Sequence, residues 1–181
     1  HSMYAVGGLM KHAEALTSIT CSTVNSYNGL VPRVAGFEDG TVTWAPTNIT
    51  YGHNNRSAQF RLPQNRYCIE NRAADMTMNV YLALAITMSA AVEGIEKKIH
   101  PGDPTDQDLY DMSESEFKRL GIKRLPRNLL MALDAFKKDK LIDDVLGTVM
   151  KKSLLAYKND EWERYHQAVT DWEVKEYLRL Y

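Results

Sequence analysis

The segment TYGHNNRSAQFRLPQNRYCIENR, residues 50–72, places Arg56, Arg61, Arg66 and Arg72 together with Glu70 among apolar residues of strand character. Read with alternating sides, Phe60 and Leu62 share one face of the first half, and Gln59 and Arg61 share the other. In the second half Tyr67 and Ile69 share a face, opposite Cys68, Glu70 and Arg72. The intervening PQNRY is short enough for a hairpin connection. Pairing then brings Arg61, Glu70 and Arg72 onto one polar face, with Arg56 aimed from the preceding loop. Two readings of that face stand side by side. One is a cross-strand salt-bridge network on a solvated sheet. The other is an oxyanion or phosphate site, because guanidinium groups bind phosphate and carboxylate bidentately and neutralise charge built up in phosphoryl transfer. A lone carboxylate among arginines is either paired or holds a divalent cation.

The elements that must position these groups follow from the surrounding chain. Its 181 residues suit one domain or a large piece of one, and 44 % hydrophobic content supplies a core. Lys+Arg 22 against Asp+Glu 23 leaves a net charge of −1, so nothing global points to nucleic acid or an anionic membrane. Cys21 and Cys68 have no paired spacing, which argues against a disulfide framework or a zinc site and for a reducing, cytoplasmic setting. No apolar run is long enough to span a bilayer, and no secretory signal opens the chain. Asn48-Ile49-Thr50 and Asn55-Arg56-Ser57 match the glycosylation pattern, which is too common to carry weight.

Periodicity predicts a helix over 4–19, with Leu9, Ala13 and Leu16 on one face and His12 read as structural rather than as a ligand. Residues 21–72 are strand-rich, and residues 76–181 are mostly helical. RVAGFEDG, residues 33–40, reads as a loop between two extended pieces, where Glu38 on pattern alone is a solvated acid. The helix over 76–99 reads as buried on most sides, capped by Asp75 or Thr77 and closed by Pro101-Gly102. Residues 101–112 read as a surface loop, and Ser113-x-x-Glu116 is a capping box. Helices near 126–138, 140–157 and 160–178 follow, with Trp162, Tyr165, Val169 and Trp172 as one stripe for core or subunit packing. Strands followed by helices argue for an α+β fold of antiparallel strands with flanking helices.

The blocks NSYNGLVP (25–32), NNRSAQFRLP (54–63), CIENRAAD (68–75), NVYLALA (79–85) and GIEKKIHPGDP (94–104) resemble, in order, those of the glutamine synthetase catalytic domain, with GGLMKHAEAL (7–16) as the helix before them. The resemblance covers nearly the whole chain. It implies that residues 1–181 are the C-terminal portion of such a domain, with further metal ligands upstream. It also implies ATP-dependent ligation of ammonia or a primary amine to the side-chain carboxylate of L-glutamate through an acyl phosphate. The cofactors implied are ATP with Mg²⁺ or Mn²⁺, and the assembly implied is a homo-oligomeric ring. By resemblance Arg56 and Arg61 contact phosphates and the transferring phosphoryl group, so Arg56 is both catalytic and substrate-binding. Glu70 is a metal ligand and Arg72 contacts glutamate. Glu38 falls on a flap, where it contacts substrate and helps deprotonate the ammonium. Tyr110 resembles a tyrosine that some bacterial members adenylylate.

Three departures are visible. Asn28 and Gly29 stand where a basic pair is usual, Cys68 stands where an arginine near the nucleotide is usual, and the flap differs from the short type. The sequence is similar in these respects to the branch that ligates glutamate to amines such as methylamine. A non-catalytic relative that binds glutamate or a partner is the alternative.

Overall fold

The computed structural model describes residues 2–30, 45–110 and 112–178. Glu38 and its flap lie outside the described residues. Two short helices open the chain, α1 (Ser2–Lys11) and α2 (Ala13–Thr20), followed by a 3₁₀ turn at Val24–Gly29. Strands β1 (Asn48–Gly52), β2 (Ala58–Arg61) and β3 (Glu70–Asn71) precede the helix α3 (Val80–Glu96). Then come α4 (Glu114–Leu120), β4 (Lys123–Arg124), α5 (Leu129–Lys138), α6 (Lys140–His166) and α7 (Asp171–Tyr177). The fold is α+β, a small sheet with flanking helices.

The sheet order is β3-β2-β1-β4. β2 pairs with β3 antiparallel, as the hairpin reading expects; β1 pairs antiparallel with β4, a strand inside the stretch read as mostly helical, and β1 with β2 is parallel, against the expectation of antiparallel strands. Residues 53–57 bring the chain back from the end of β1 to its start, where the Thr47 N–H donates to the Ser57 carbonyl at 3.1 Å and β2 begins alongside. Ile49, Tyr51 and Phe60 pack into one core with Val6, Leu9, Leu16, Ile86, Leu129, Phe136 and Ile142 of the helices.

Local chemistry sets the helix ends. The single helix expected over 4–19 is broken at His12 (φ −100°, ψ 8°). Asn79 caps α3 by accepting from the backbone N–H groups of Tyr81 and Leu82, so neither Asp75 nor Thr77 does so; Asp75 instead accepts from Thr77 in a local turn. Ser113 and Glu116 form the expected capping box, and Gly121 ends α4 in the left-handed conformation. α6 bends at Gly147 (φ 69°, ψ 166°) and continues to His166, past the break expected near 158.

α3 crosses α1 at close range, because a Cβ on Gly8 would meet Ala90 O at 2.0 Å and one on Gly94 would meet Tyr4 O at 2.1 Å. That contact covers one side only. Tyr81, Leu84, Met88 and Val92 are exposed, so among the described residues α3 is half-buried rather than buried on most sides. The aromatic stripe also divides. Trp162 packs against the core, while Tyr165, Val169 and Trp172 are exposed and separated by the end of α6. No helix among the described residues is long and apolar enough to cross a membrane. Asn48 and Asn55 are buried, which removes them as glycosylation acceptors.

Candidate active site

β2 and β3 pair with Arg61 opposite Glu70 and Phe60 opposite Asn71. The next step brings Arg72 opposite Gln59, whose carbonyl accepts from the Arg72 backbone N–H at 2.8 Å. Phe60 faces the helical core, so strand alternation turns Gln59 and Arg61 to the other side, where Glu70 and Arg72 are their cross-strand neighbours. The four residues form one polar face, as the alternation anticipates.

Arg61 Nη1 lies 3.4 Å from Glu70 Oε2, and Arg61 Nε donates to the His53 carbonyl at 3.3 Å. Arg66, from the turn before β3, pairs with the other Glu70 oxygen. Arg66 therefore serves Glu70. Glu70 takes two guanidinium groups, and the arginines of this face crowd one another. Burial and then the charges of Arg56 and Arg61 push the Arg72 guanidinium below its usual range, with Tyr110 opposing. Clustered cations of this kind are stabilised by an anion and strained without one.

Arg56 is exposed on the loop between β1 and β2, and its position is built from the chain outside the sheet. Asn55 Nδ2 donates to the carbonyls of Thr105 and Gln107 at 2.7 and 2.8 Å. Asn55 Oδ1 accepts from the Ser57 N–H at 2.8 Å and from its hydroxyl at 2.5 Å. The Ser57 hydroxyl in turn accepts from the Leu109 N–H at 3.2 Å. His53 meets Asp106 through its backbone N–H at 2.6 Å and its ring Nδ1 at 2.9 Å, and the ring contact is the largest influence holding the Asp106 carboxyl below its usual range. Residues 101–110, expected as a surface loop, are thus the strut that fixes the Arg56 loop. Sequence spacing carried no signal for this, since the partners lie about fifty residues apart.

Gln59 was also missed as a site residue. It is fully buried, and among the described residues neither its amide oxygen nor its amide nitrogen has a hydrogen-bond partner. A buried orphan amide on the arginine face is the kind of group that structural hydrogen bonding leaves unexplained. The Tyr110 hydroxyl donates to the Ala45 carbonyl, which occupies the proton a modifying enzyme would need to displace. At Gly29, one of the two positions where the family usually carries a basic pair, an added Cβ would meet nothing within 4 Å among the described residues.

Glu70 can give a divalent cation one carboxylate. Mg²⁺ and Mn²⁺ need several oxygen ligands, and no group of three or more His, Cys, Asp or Glu that could hold a metal exists among the described residues. These residues do not by themselves make a complete metal site.

In sequence and in backbone the chain is similar to known proteins of one family. The family profile described as glutamine synthetase, catalytic domain, matches residues 1–177. A glutamate–methylamine ligase of Methyloversatilis universalis is 42 % identical over 174 residues, covering 96 % of this chain and 38 % of that protein. A glutamine synthetase of Methanocaldococcus jannaschii is 42 % identical over 176 residues, covering 96 % of this chain and 37 % of its own length. Among solved structures, GmaS/ADP complex-Conformation 1 superposes with a TM-score of 0.81 at 33 % identity, over 98 % of this chain and 39 % of that one. The chain spans less than two fifths of the length of these two curated relatives. A shared catalytic-domain profile, two relatives at this identity and a closely superposing backbone place the chain in the glutamine synthetase catalytic-domain family.

Proposed function

We propose that the complete protein joins ammonia or a small primary amine to the side-chain carboxylate of L-glutamate at the expense of ATP. The observation that carries this reading is the cationic face of Arg61 and Arg72 beside Glu70, with Arg56 on a braced loop, in a chain of this family. The glutamate γ-carboxylate attacks the terminal phosphorus of ATP and ADP leaves. The free amine then attacks the acyl carbon and phosphate leaves. Negative charge builds on the phosphoryl oxygens in the first step and on the departing phosphate in the second. Arg56 and Arg61 are assigned to those oxygens and Arg72 to a glutamate carboxylate, roles suited to planar bidentate donors. Glu38 is assigned to removing a proton from the ammonium before attack. When bound, a divalent cation would add charge neutralisation, with Glu70 supplying one of its ligands.

The amine substrate is set by the space near Gly29. A basic side chain exchanged for glycine loses charge and volume, and room for a Cβ at Gly29 among the described residues suits a carbon substituent on the amine. Identity does not choose between the two activities, because the methylamine ligase and the archaeal glutamine synthetase match this chain equally at 42 %. The 181-residue chain on its own is expected to lack glutamate-dependent ATP hydrolysis, since Glu70 alone cannot hold the cation.

The test is a competition assay on the complete protein with glutamate, ATP and equal ammonia and methylamine, products being separated by mass. γ-Glutamylmethylamide as the major product supports the amine reading. Glutamine alone refutes it and leaves a glutamine-forming ligase. No glutamate-dependent ADP release with any amine refutes the ligase reading and favours a non-catalytic binding relative, in which the Glu70 contacts are a passive ion-pair network.

A further inference from the structure

His12 is a buried ionisable group that the proposed chemistry does not use. It sits at the break between α1 and α2 and is 5 % exposed. Its Nδ1 lies 2.7 Å from Asp139 Oδ2, and its Nε2 bonds Glu93 Oε2. Glu93 belongs to the last turn of α3. Asp139 both ends α5 and caps α6. One imidazole therefore joins three separate stretches of helix.

The proton count follows from the partners. A neutral imidazole offers one N–H and one lone pair, whereas an ionised carboxylate only accepts. Carboxylates on both ring nitrogens are satisfied together when the ring carries two protons, or when one acid is protonated. Other contacts decide between these. Glu93 also takes Lys11 at 3.0 Å and Lys97. Burial opposes its charge, but hydrogen bonds from Lys97, His12 and Lys11 prevail and hold it down at about 2. Asp139 Oδ1 accepts from the Leu141 N–H at 2.9 Å at the start of α6, where a helix favours negative charge. Both acids have independent reasons to stay ionised, so the second proton belongs to the ring.

We infer that His12 is a proton-operated clasp. As an imidazolium it ties the α1–α2 break to α3 and to the α5–α6 junction at once, and on losing its second proton it keeps a single N–H and gives up one of the two. Glu93 and Asp139 are the charged groups that bond it; Lys11 on α1 and Lys97 on α3 pair with Glu93, Glu96 on α3 and Asp144 on α6 act on Lys97, and Lys151 on α6 links Asp139 to Asp143. Lys151 is itself buried, donating to the Asp139 carbonyl at 3.3 Å and pairing with Asp143 at 2.9 Å. The clasp also backs the candidate site. At the far end of α2 the Thr20 hydroxyl donates to the Ala73 carbonyl at 2.6 Å, and the Asp75 N–H donates to the Thr20 carbonyl at 2.9 Å, directly after Arg72.

Burial disfavours charge on the ring, but the bonds to Asp139 and Glu93, with their charges, outweigh it and raise its pKa above the ordinary value. The folded form then binds the proton more tightly than the unfolded chain. Its stabilisation is complete below the unfolded value of about 6.5 and is lost as pH rises through the folded value.

Two measurements on the protein test this. Ring nitrogen shifts by NMR, assigned with His12→Gln, should show the His12 imidazole losing its second proton above the ordinary value of about 6.5. Urea unfolding across the same range should show the folding constant falling by up to about tenfold per pH unit between the unfolded and folded values. The His12→Gln variant should lose that slope. A ring that titrates at or below about 6.5 overturns the clasp, as does an unchanged slope in the variant. Should His12→Gln fail to fold, the ring titration of the unsubstituted protein still decides.

Discussion

Arg61→Lys separates the two readings of the arginine face, because stability and turnover should respond differently. In the chain itself Arg61 makes two long contacts, 3.3 Å to the His53 carbonyl and 3.4 Å to Glu70, with 30 % of its side chain exposed. An ion pair of that length and exposure contributes less than about 1 kcal/mol after solvent screening. Lysine keeps the charge, so the stability cost should lie within about 1 kcal/mol. A guanidinium fork on a phosphoryl oxygen is a different matter. Its loss removes a charge-assisted hydrogen bond of about 1.5–3 kcal/mol, which is about 10- to 150-fold in rate. The assay pairs urea unfolding with steady-state kcat/KM for ATP in the complete protein. A large fall in kcat/KM with a nearly unchanged midpoint is the expected result. Near-unchanged turnover would refute the phosphate assignment and leave the salt-bridge reading. A stability loss as large as the activity loss would refute the division of roles.

Asn55→Ala should cost about 3 kcal/mol in unfolding free energy, since four short hydrogen bonds in a buried loop are lost at roughly 1 kcal/mol each, partly offset by relaxation. A cost under about 1 kcal/mol would show that the 101–110 strut does not hold the Arg56 loop. Gly94→Ala should destabilise by about 3 kcal/mol or more, because its methyl would meet the Tyr4 carbonyl at 2.1 Å and the Gly8 nitrogen at 2.6 Å, both backbone atoms. Circular dichroism melting checks it, and an unchanged midpoint would mean α1 and α3 do not cross so closely. Native alkylation followed by mass spectrometry should label Cys68, which is exposed, and spare Cys21. Burial, with Asp75 adding to it, pushes the Cys21 thiol up to about 12, so rapid labelling of Cys21 would contradict its packing.

Much of this protein follows from local rules that operate within a few residues. Ser113 and Glu116 cap α4 because their spacing alone lets each side chain reach the other's backbone N–H. The alternation of Gln59, Phe60 and Arg61 sends neighbours to opposite faces whatever the rest of the chain does, so the arginine face was legible from the residues. The resemblance then supplied roles that the spacing left open. What the sequence could not determine depends on contacts between distant segments. The break at His12 is fixed by Asp139 and Glu93, 127 and 81 residues away. The Arg56 loop is held by residues 101–110, and the half-exposed face of α3 is decided by what the described chain packs against it. Hydrophobic patterning reports how apolar a helix is, but which side is covered depends on its neighbours, and that information exists only once the chain has closed on itself.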